Sequence, residues 1–136
     1  MAQPRMLVTG ASSGIGLELA RQLAQAGVPV LALRRNVERL QALQKAHSLV
    51  DNIACDLCDV AALPGLVVLW VARYPDLGCV IHCAGVQHNV RLDTADNGAS
   101  NVRAEVDTNL VASMVLTQTL LPHLLAKQQA LVAHIT

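Results

Sequence analysis

Charge is scarce in this sequence. Charged residues make up 15% of the 136, ten Lys and Arg offset ten Asp and Glu, and the formal net charge is zero. A balanced surface gives no field to attract nucleic acid or an acidic partner, so neither is expected. Long apolar runs are missing too. None reaches the roughly 18–20 residues that a membrane-spanning helix needs, and no membrane partner is expected. The opening residues, Met-Ala-Gln-Pro-Arg, lack the charged-then-apolar layout of a signal peptide, which makes a cytoplasmic protein the default. Internal repeats, low-complexity tracts and linkers are also absent. What is present is 53% hydrophobic sequence, enough for one domain over residues 1–136 with a single core and strands buried on both faces.

Four cysteines stand at 55, 58, 79 and 83. Cys55-Asp-Leu-Cys58 has the CxxC spacing of a zinc or redox pair, and Cys79 with Cys83 would complete a metal cage. The second pair lies in an apolar stretch that reads as a strand, where cysteine is a common small buried residue. Its x3 spacing is also unusual for structural zinc. Reduced structural thiols and no metal are the expectation.

Periodicity gives an alternating series. Strands are expected at 5–9, 29–34, 49–55, 77–84 and 130–136, with Pro29 tolerated at the first position of the second. Helices are expected at 14–26, with Ile15, Leu19 and Leu23 on one face and Gly27 as its stop, at 36–47 with Asn36 as N-cap, and at 60–74. Residues 86–100 are polar, lack a period and read as a loop. A long helix follows over 101–127. Strands alternating with helices predict a doubly wound parallel α/β sheet with right-handed crossovers.

The long helix is unusually apolar. Leu110, Met114, Thr117, Leu121 and Leu124 form one stripe, and Val111, Val115 and Leu125 widen it beyond the roughly 100° that a sheet-covering helix needs. Something is therefore expected on its second side, and Pro122 is expected to kink or end it.

The densest signal is Thr9-Gly10-Ala11-Ser12-Ser13-Gly14-Ile15-Gly16, between the first strand and the first helix. Gly10 lets the chain turn off the strand. Gly14 removes a Cβ that would keep a pyrophosphate from the helix N-terminus, whose free N–H groups and positive dipole end attract it. Gly16 lets the helix lie close on the sheet, and Ser12 and Ser13 add hydroxyl donors. A plain tight turn accounts for one or two glycines of the three.

The spacing is GxxxGxG, distinct from GxGxxG and from a P-loop. The segment resembles the TGxxxGIG loop of the short-chain dehydrogenase/reductase family, and the likeness continues in order along the chain. Asp56-Leu57 resembles the pair that brackets adenine. His82-Cys83-Ala84-Gly85 stands where the family has Asn-Asn-Ala-Gly, with both asparagines replaced but Ala84 and Gly85 kept. Asp107-Thr108-Asn109-Leu110 resembles the helix segment whose catalytic asparagine falls on Asn109. The resemblance implies a Rossmann-like sheet of about five strands in the order 3-2-1-4-5, incomplete relative to the family fold. It also implies cofactor contacts from Thr9, Gly10, Ser12, Ser13, Gly14, Ile15, Gly16, Arg34, Arg35, Asp56, Leu57, Cys83, Ala84 and Gly85.

At the end of the second strand a site for NAD places an acidic side chain against the ribose hydroxyls. Here Arg34 and Arg35 stand instead, and guanidinium groups suit a phosphate dianion, so NADP(H) is expected over NAD(H). The plainer reading of these arginines, solvation of a helix start, is assigned to Arg39. Family members transfer a hydride between nicotinamide and a carbonyl or alcohol carbon with a Ser, Tyr and Lys. Those three lie beyond Thr136, and Tyr74, the only tyrosine, has no YxxxK around it. Tyr74, His82, His123 and His134 read as packing residues, and His88 has no evident partner. Asn109 is left a supporting role. The expectation is the cofactor-binding part of an oxidoreductase, truncated or naturally short, pairing with a second copy through the 101–127 helix. The alternative is a non-catalytic dinucleotide-binding or sensing module.

Overall fold

The computed structural model describes residues 3–35, 37–87, 93 and 98–135, apart from the side chains at 37, 39, 40, 98 and 99. Asn36, His88 and the side chain of Arg39 lie outside the described residues. In chain order the elements are β1 (Arg5–Thr9), α1 (Gly14–Gln25), β2 (Val30–Arg34), α2 (Val37–Ala46) and β3 (Val50–Ala54). A 3-10 turn (Val60–Ala62) then leads into α3 (Leu63–Arg73), followed by β4 (Leu77–His82) and α4 (Gly98–Val106). A π turn (Asp107–Val111) joins α4 to α5 (Ala112–Leu125), and β5 (Leu131–His134) closes the chain.

The strands form one five-stranded sheet in the order β3-β2-β1-β4-β5, and every pairing is parallel. Successive side chains on a strand point to opposite faces, and here both faces are covered. Leu7, Leu31, Leu33, Leu77 and Val80 pack against Leu63, Val67 and Trp70 of α3 and Leu116, Leu120 and Leu124 of α5. On the other face Val8, Val30, Ala32 and Val50 meet Ala20 and Ala24 of α1 and Leu43 of α2. Each fully buried leucine contributes about 1.5–3 kcal/mol relative to exposure, so the leucine-rich layer under α3 and α5 is the main store of stability.

Several details depart from the sequence-based expectation. The packing side of α1 is Gly16, Ala20 and Ala24, while Ile15 is 65% exposed. Small residues let this helix sit close to the sheet, and the larger Leu19 and Leu23 flank the contact. β4 ends at His82 instead of residue 84, because the amides of Cys83 and Ala84 turn to the Thr9 hydroxyl.

The expected helix over 101–127 begins earlier, at Gly98, and is interrupted by the π turn. Its buried residues are Thr108, Ala112, Leu116, Leu120 and Leu124. Of the stripe expected there, Leu124 is buried, whereas Leu110, Met114 and Leu121 are exposed. With apolar residues on both sides, the sheet took the side carrying Ala112, which permits close approach. α5 continues through Pro122 to Leu125.

Candidate functional site

Strand order reverses between β1 and β4, and in an open parallel sheet that point opens a crevice at the carboxyl ends of the strands. The glycine corner sits there, and its three glycines answer to three constraints. Gly10 has φ of 65°, and a Cβ on it would lie 2.7 Å from Ala84 Cα, so the exit of β4 passes directly against it. Gly16 sits under the carbonyl of Gly10; a Cβ would overlap that oxygen and lie 2.8 Å from the carbonyl carbon. Gly14 has φ of 57° but no neighbour within 4 Å of its would-be Cβ. Its glycine serves the left-handed backbone, and the space before it is open.

Thr9 is buried and its Oγ1 accepts from the amides of Cys83, at 3.1 Å, and Ala84, at 3.0 Å. It stitches the end of β1 to the exit of β4. Ser12 is 1% exposed, and its Oγ has no hydrogen-bond partner among the described residues. A buried hydroxyl left without a partner costs free energy unless a ligand or water meets it. Ser13 holds the N-cap of α1 but makes no capping bond. Its Oγ instead accepts from Arg34 Nη1 at 2.7 Å.

A cleft of about 190 Å³ opens beside this corner. Gly10, Arg34, Arg35, Asp56, Leu57, Ala84 and Gly85, all singled out from the sequence, line it. Asp56 Oδ1 accepts from the Cys58 amide at 2.9 Å, which shapes the turn after β3. Thr9, Ser12, Ser13, Gly14, Ile15, Gly16, Cys83 and Asn109 form the corner or its supports and do not line the cleft itself.

The structure adds lining from Cys55, Cys58, Val86, Ala104 and Thr108. Cys58 Sγ lies 2.8 Å from Thr108 Oγ1, joining two segments fifty residues apart in sequence. Val86 sits one residue beyond a recognised motif and Thr108 lies within one, which was the available signal. Ala104 had none beyond its i, i+4 spacing to Thr108.

Asn109 lies in the π turn, a geometry that recurs at functional sites. Its Oδ1 accepts from the Val86 amide and its Nδ2 donates to the Val86 carbonyl, each at 2.7 Å. Both ends of the carboxamide are thus spent on holding the wall of the cleft beside Gly85. A second, smaller cavity of about 50 Å³ lies behind, lined in part by Thr9, Asn109, Ser113, His82 and His134.

Burial favours the neutral form of one histidine and three cysteines of the sheet and its exits. Burial, with some help from His134, pushes His82 down to about 4. His82 is hydrogen-bonded to Thr117 Oγ1 at 2.9 Å and stacked on His134 at 4.6 Å between ring centroids. His123 donates from Nε2 to the Leu77 carbonyl. Burial raises the thiols of Cys79 and Cys83. It raises Cys55 to about 11, with Asp56 and Asp59 adding to the effect. The four cysteines are unpaired, and no group of three or more His, Cys, Asp or Glu among the described residues is placed to hold a metal. Tyr74 is far from this chemistry. It lies just before β4, at the opposite end of the strands, under the Arg5 guanidinium at 4.8 Å.

Comparison with known proteins matches these features. The sequence model of the short chain dehydrogenase family matches residues 4–136. The uncharacterized oxidoreductase DltE of Bacillus subtilis is 27% identical over 136 residues, all of this chain and 54% of that relative. A metagenomic short-chain oxidoreductase solved in complex with NADP superposes with a TM-score of 0.89 at 26% identity, over 100% of this chain and 63% of that one. The F189W actinorhodin polyketide ketoreductase solved with NADPH gives 0.85 at 30% identity, over 100% and 55%. The chain spans about half the length of the curated relatives it matches.

Proposed function

The chain belongs to the short-chain dehydrogenase/reductase family, and we propose that its cleft seats NADP(H) in preference to NAD(H), as the cofactor-binding part of an oxidoreductase acting on carbonyl or alcohol carbons. Arg34 carries the reading. At the end of β2, where a free 2′-hydroxyl would call for a carboxylate, this guanidinium is half-buried in the cleft wall with Arg35 beside it. A planar guanidinium grips a phosphate dianion through paired charge-assisted bonds and gains little from a neutral hydroxyl. Two structural neighbours carry NADP or NADPH in their crystals, in keeping with this choice.

The residues present fit such a cofactor. The α1 N-terminus, the open space before Gly14 and the unpartnered Ser12 hydroxyl suit its diphosphate. Asp56 and Leu57 would flank the adenosine, and the backbone of Cys83, Ala84 and Gly85 would run along the nicotinamide side. The bound dinucleotide supplies or accepts the hydride. Thr9 ties the end of β1 to the exit of β4, and Asn109 fixes Val86 from the π turn, so its supporting role is positional. Tyr74, the only tyrosine, is engaged with Arg5 and Arg73 at the far end of the sheet and is not placed to pass a proton in the cleft.

That placement of Tyr74 also favours the second reading, a dinucleotide-binding module with no chemistry of its own. Reading the gene downstream of Thr136 separates the two: an in-frame Ser and YxxxK supports the enzyme, and an immediate stop supports the module. The exposed Val102, Val106, Leu110, Met114, Leu121 and Leu125 along α4 and α5 support assembly with a second copy through that surface. A cytoplasmic setting accords with four unpaired thiols.

Calorimetric titration with NADP⁺ and NAD⁺ tests the cofactor assignment. Given the worth of hydrogen bonds to charged groups, NADP⁺ is expected to bind about 10–100-fold more tightly. Arg34→Ala brings the two affinities together by weakening NADP⁺ alone. Equal affinities in the unaltered chain, or tighter NAD⁺, refute the assignment.

A further inference from the structure

We infer that Ser13 is a positioning residue for cofactor selection, its hydroxyl holding the Arg34 guanidinium ready for a phosphate on the adenosine ribose. The inference rests on the NADP(H) assignment and deepens it. The starting observation is a capping bond that is not made. Ser13 has the extended backbone of an N-cap, with φ of −159° and ψ of 164°, yet its side chain caps nothing. A serine here normally accepts from an amide in the first helical turn. Instead its Oγ accepts from Arg34 Nη1 at 2.7 Å, across 21 residues of sequence.

Two consequences follow. The α1 amides that Ser13 would have capped are left for a ligand, and the long Arg34 side chain is pinned beside them. A guanidinium has five N–H groups in a rigid fork, so the single bond to Ser13 leaves most of it available. Because a hydroxyl is neutral, it orients the guanidinium without cancelling its charge; a carboxylate at the same place would do both. Pinning removes side-chain freedom before binding, and that gain goes to a ligand that uses the fork. A dinucleotide with a 2′-phosphate uses it. One with a 2′-hydroxyl scarcely does. Ser13 therefore acts on the ratio of the two affinities.

The test compares Ser13→Thr, which keeps a hydroxyl, with the near-isosteric Ser13→Val, which removes it. The extended backbone at this position accepts either β-branched side chain. Calorimetry on the chain with NADP⁺ and NAD⁺ reads the ratio of dissociation constants. Threonine is expected to hold the ratio within about twofold, and valine to lower it about tenfold through weaker NADP⁺ binding alone, the scale of one lost hydrogen bond to a charged group. Ser13→Ala repeats the comparison if circular dichroism shows valine misfolded. A valine variant that weakens both cofactors equally, or neither, overturns the inference while the NADP(H) assignment stands. An unaltered chain that fails to prefer NADP⁺ removes the assignment and the inference together.

Discussion

Replacing Gly16 by alanine should destabilise the protein more than replacing Gly14, although Gly14 has the unusual backbone and Gly16 does not. At Gly16 the added methyl carbon meets main-chain atoms: the Gly10 oxygen, the Gly10 carbonyl carbon at 2.8 Å and the Thr9 oxygen at 3.2 Å. None can swing aside like a side chain, so α1 must back away from the corner. Overpacking of this kind costs up to about 3 kcal/mol, and alanine regains about 1 kcal/mol through helix propensity. The net loss is about 2 kcal/mol.

At Gly14 the methyl group meets nothing within 4 Å, and the φ of 57° alone opposes it. The left-handed conformation costs an L-residue about 1–2 kcal/mol, partly offset by a less flexible unfolded chain. A net loss of about 1 kcal/mol is expected. The sole tryptophan, Trp70, is buried in the core, so urea unfolding followed by its fluorescence reads both variants against the parent. The order reverses for ligand binding. Gly14→Ala places its methyl in the space assigned to the diphosphate, so dinucleotide affinity should fall by more than its stability loss explains. A Gly16→Ala protein as stable as the parent, or one more stable than Gly14→Ala, would refute the close approach of α1 to the corner.

Two further outcomes are expected. His82 stays neutral in the folded protein down to about pH 4, against an ordinary value of 6.5, because it is buried beside His134. The unfolded chain therefore takes up this proton first as pH falls. Stability present above pH 6.5 should be lost between there and pH 4, by at most ~3 kcal/mol from this group. His82→Asn should flatten that part of the profile in urea melts at stepped pH, and parallel profiles would exclude His82 as the source. On the outer face of α5, Met114 is 61% exposed, so Met114→Glu should change folding stability by no more than ~0.5 kcal/mol. Sedimentation velocity should nevertheless show any self-association through that face reduced, and an unchanged distribution would place the contact elsewhere.

Much of this architecture was legible before any coordinates, for reasons that are local. A strand buried on both faces must be apolar nearly throughout, and β1, β2 and β4 are. The three glycines of the first corner each meet a constraint within a few residues or at the end of the neighbouring strand, so their spacing spoke plainly. The guanidinium pair at the end of β2 was equally visible, because charge type is written in the sequence itself.

Tertiary structure decided what depends on segments meeting across the fold. The sequence held an apolar helix with two greasy sides, but only docking chose the side of Ala112, Leu116 and Leu120 for the core and left Leu110 and Met114 outside. It named Ser13, Arg34, Cys58 and Thr108 without hinting that the first two bond to each other, or that the last two meet over the cleft. Such pairs arise where crossovers bring the carboxyl ends of separate strands together. Their distances are set by sheet order and helix packing, and no local pattern of residues records them.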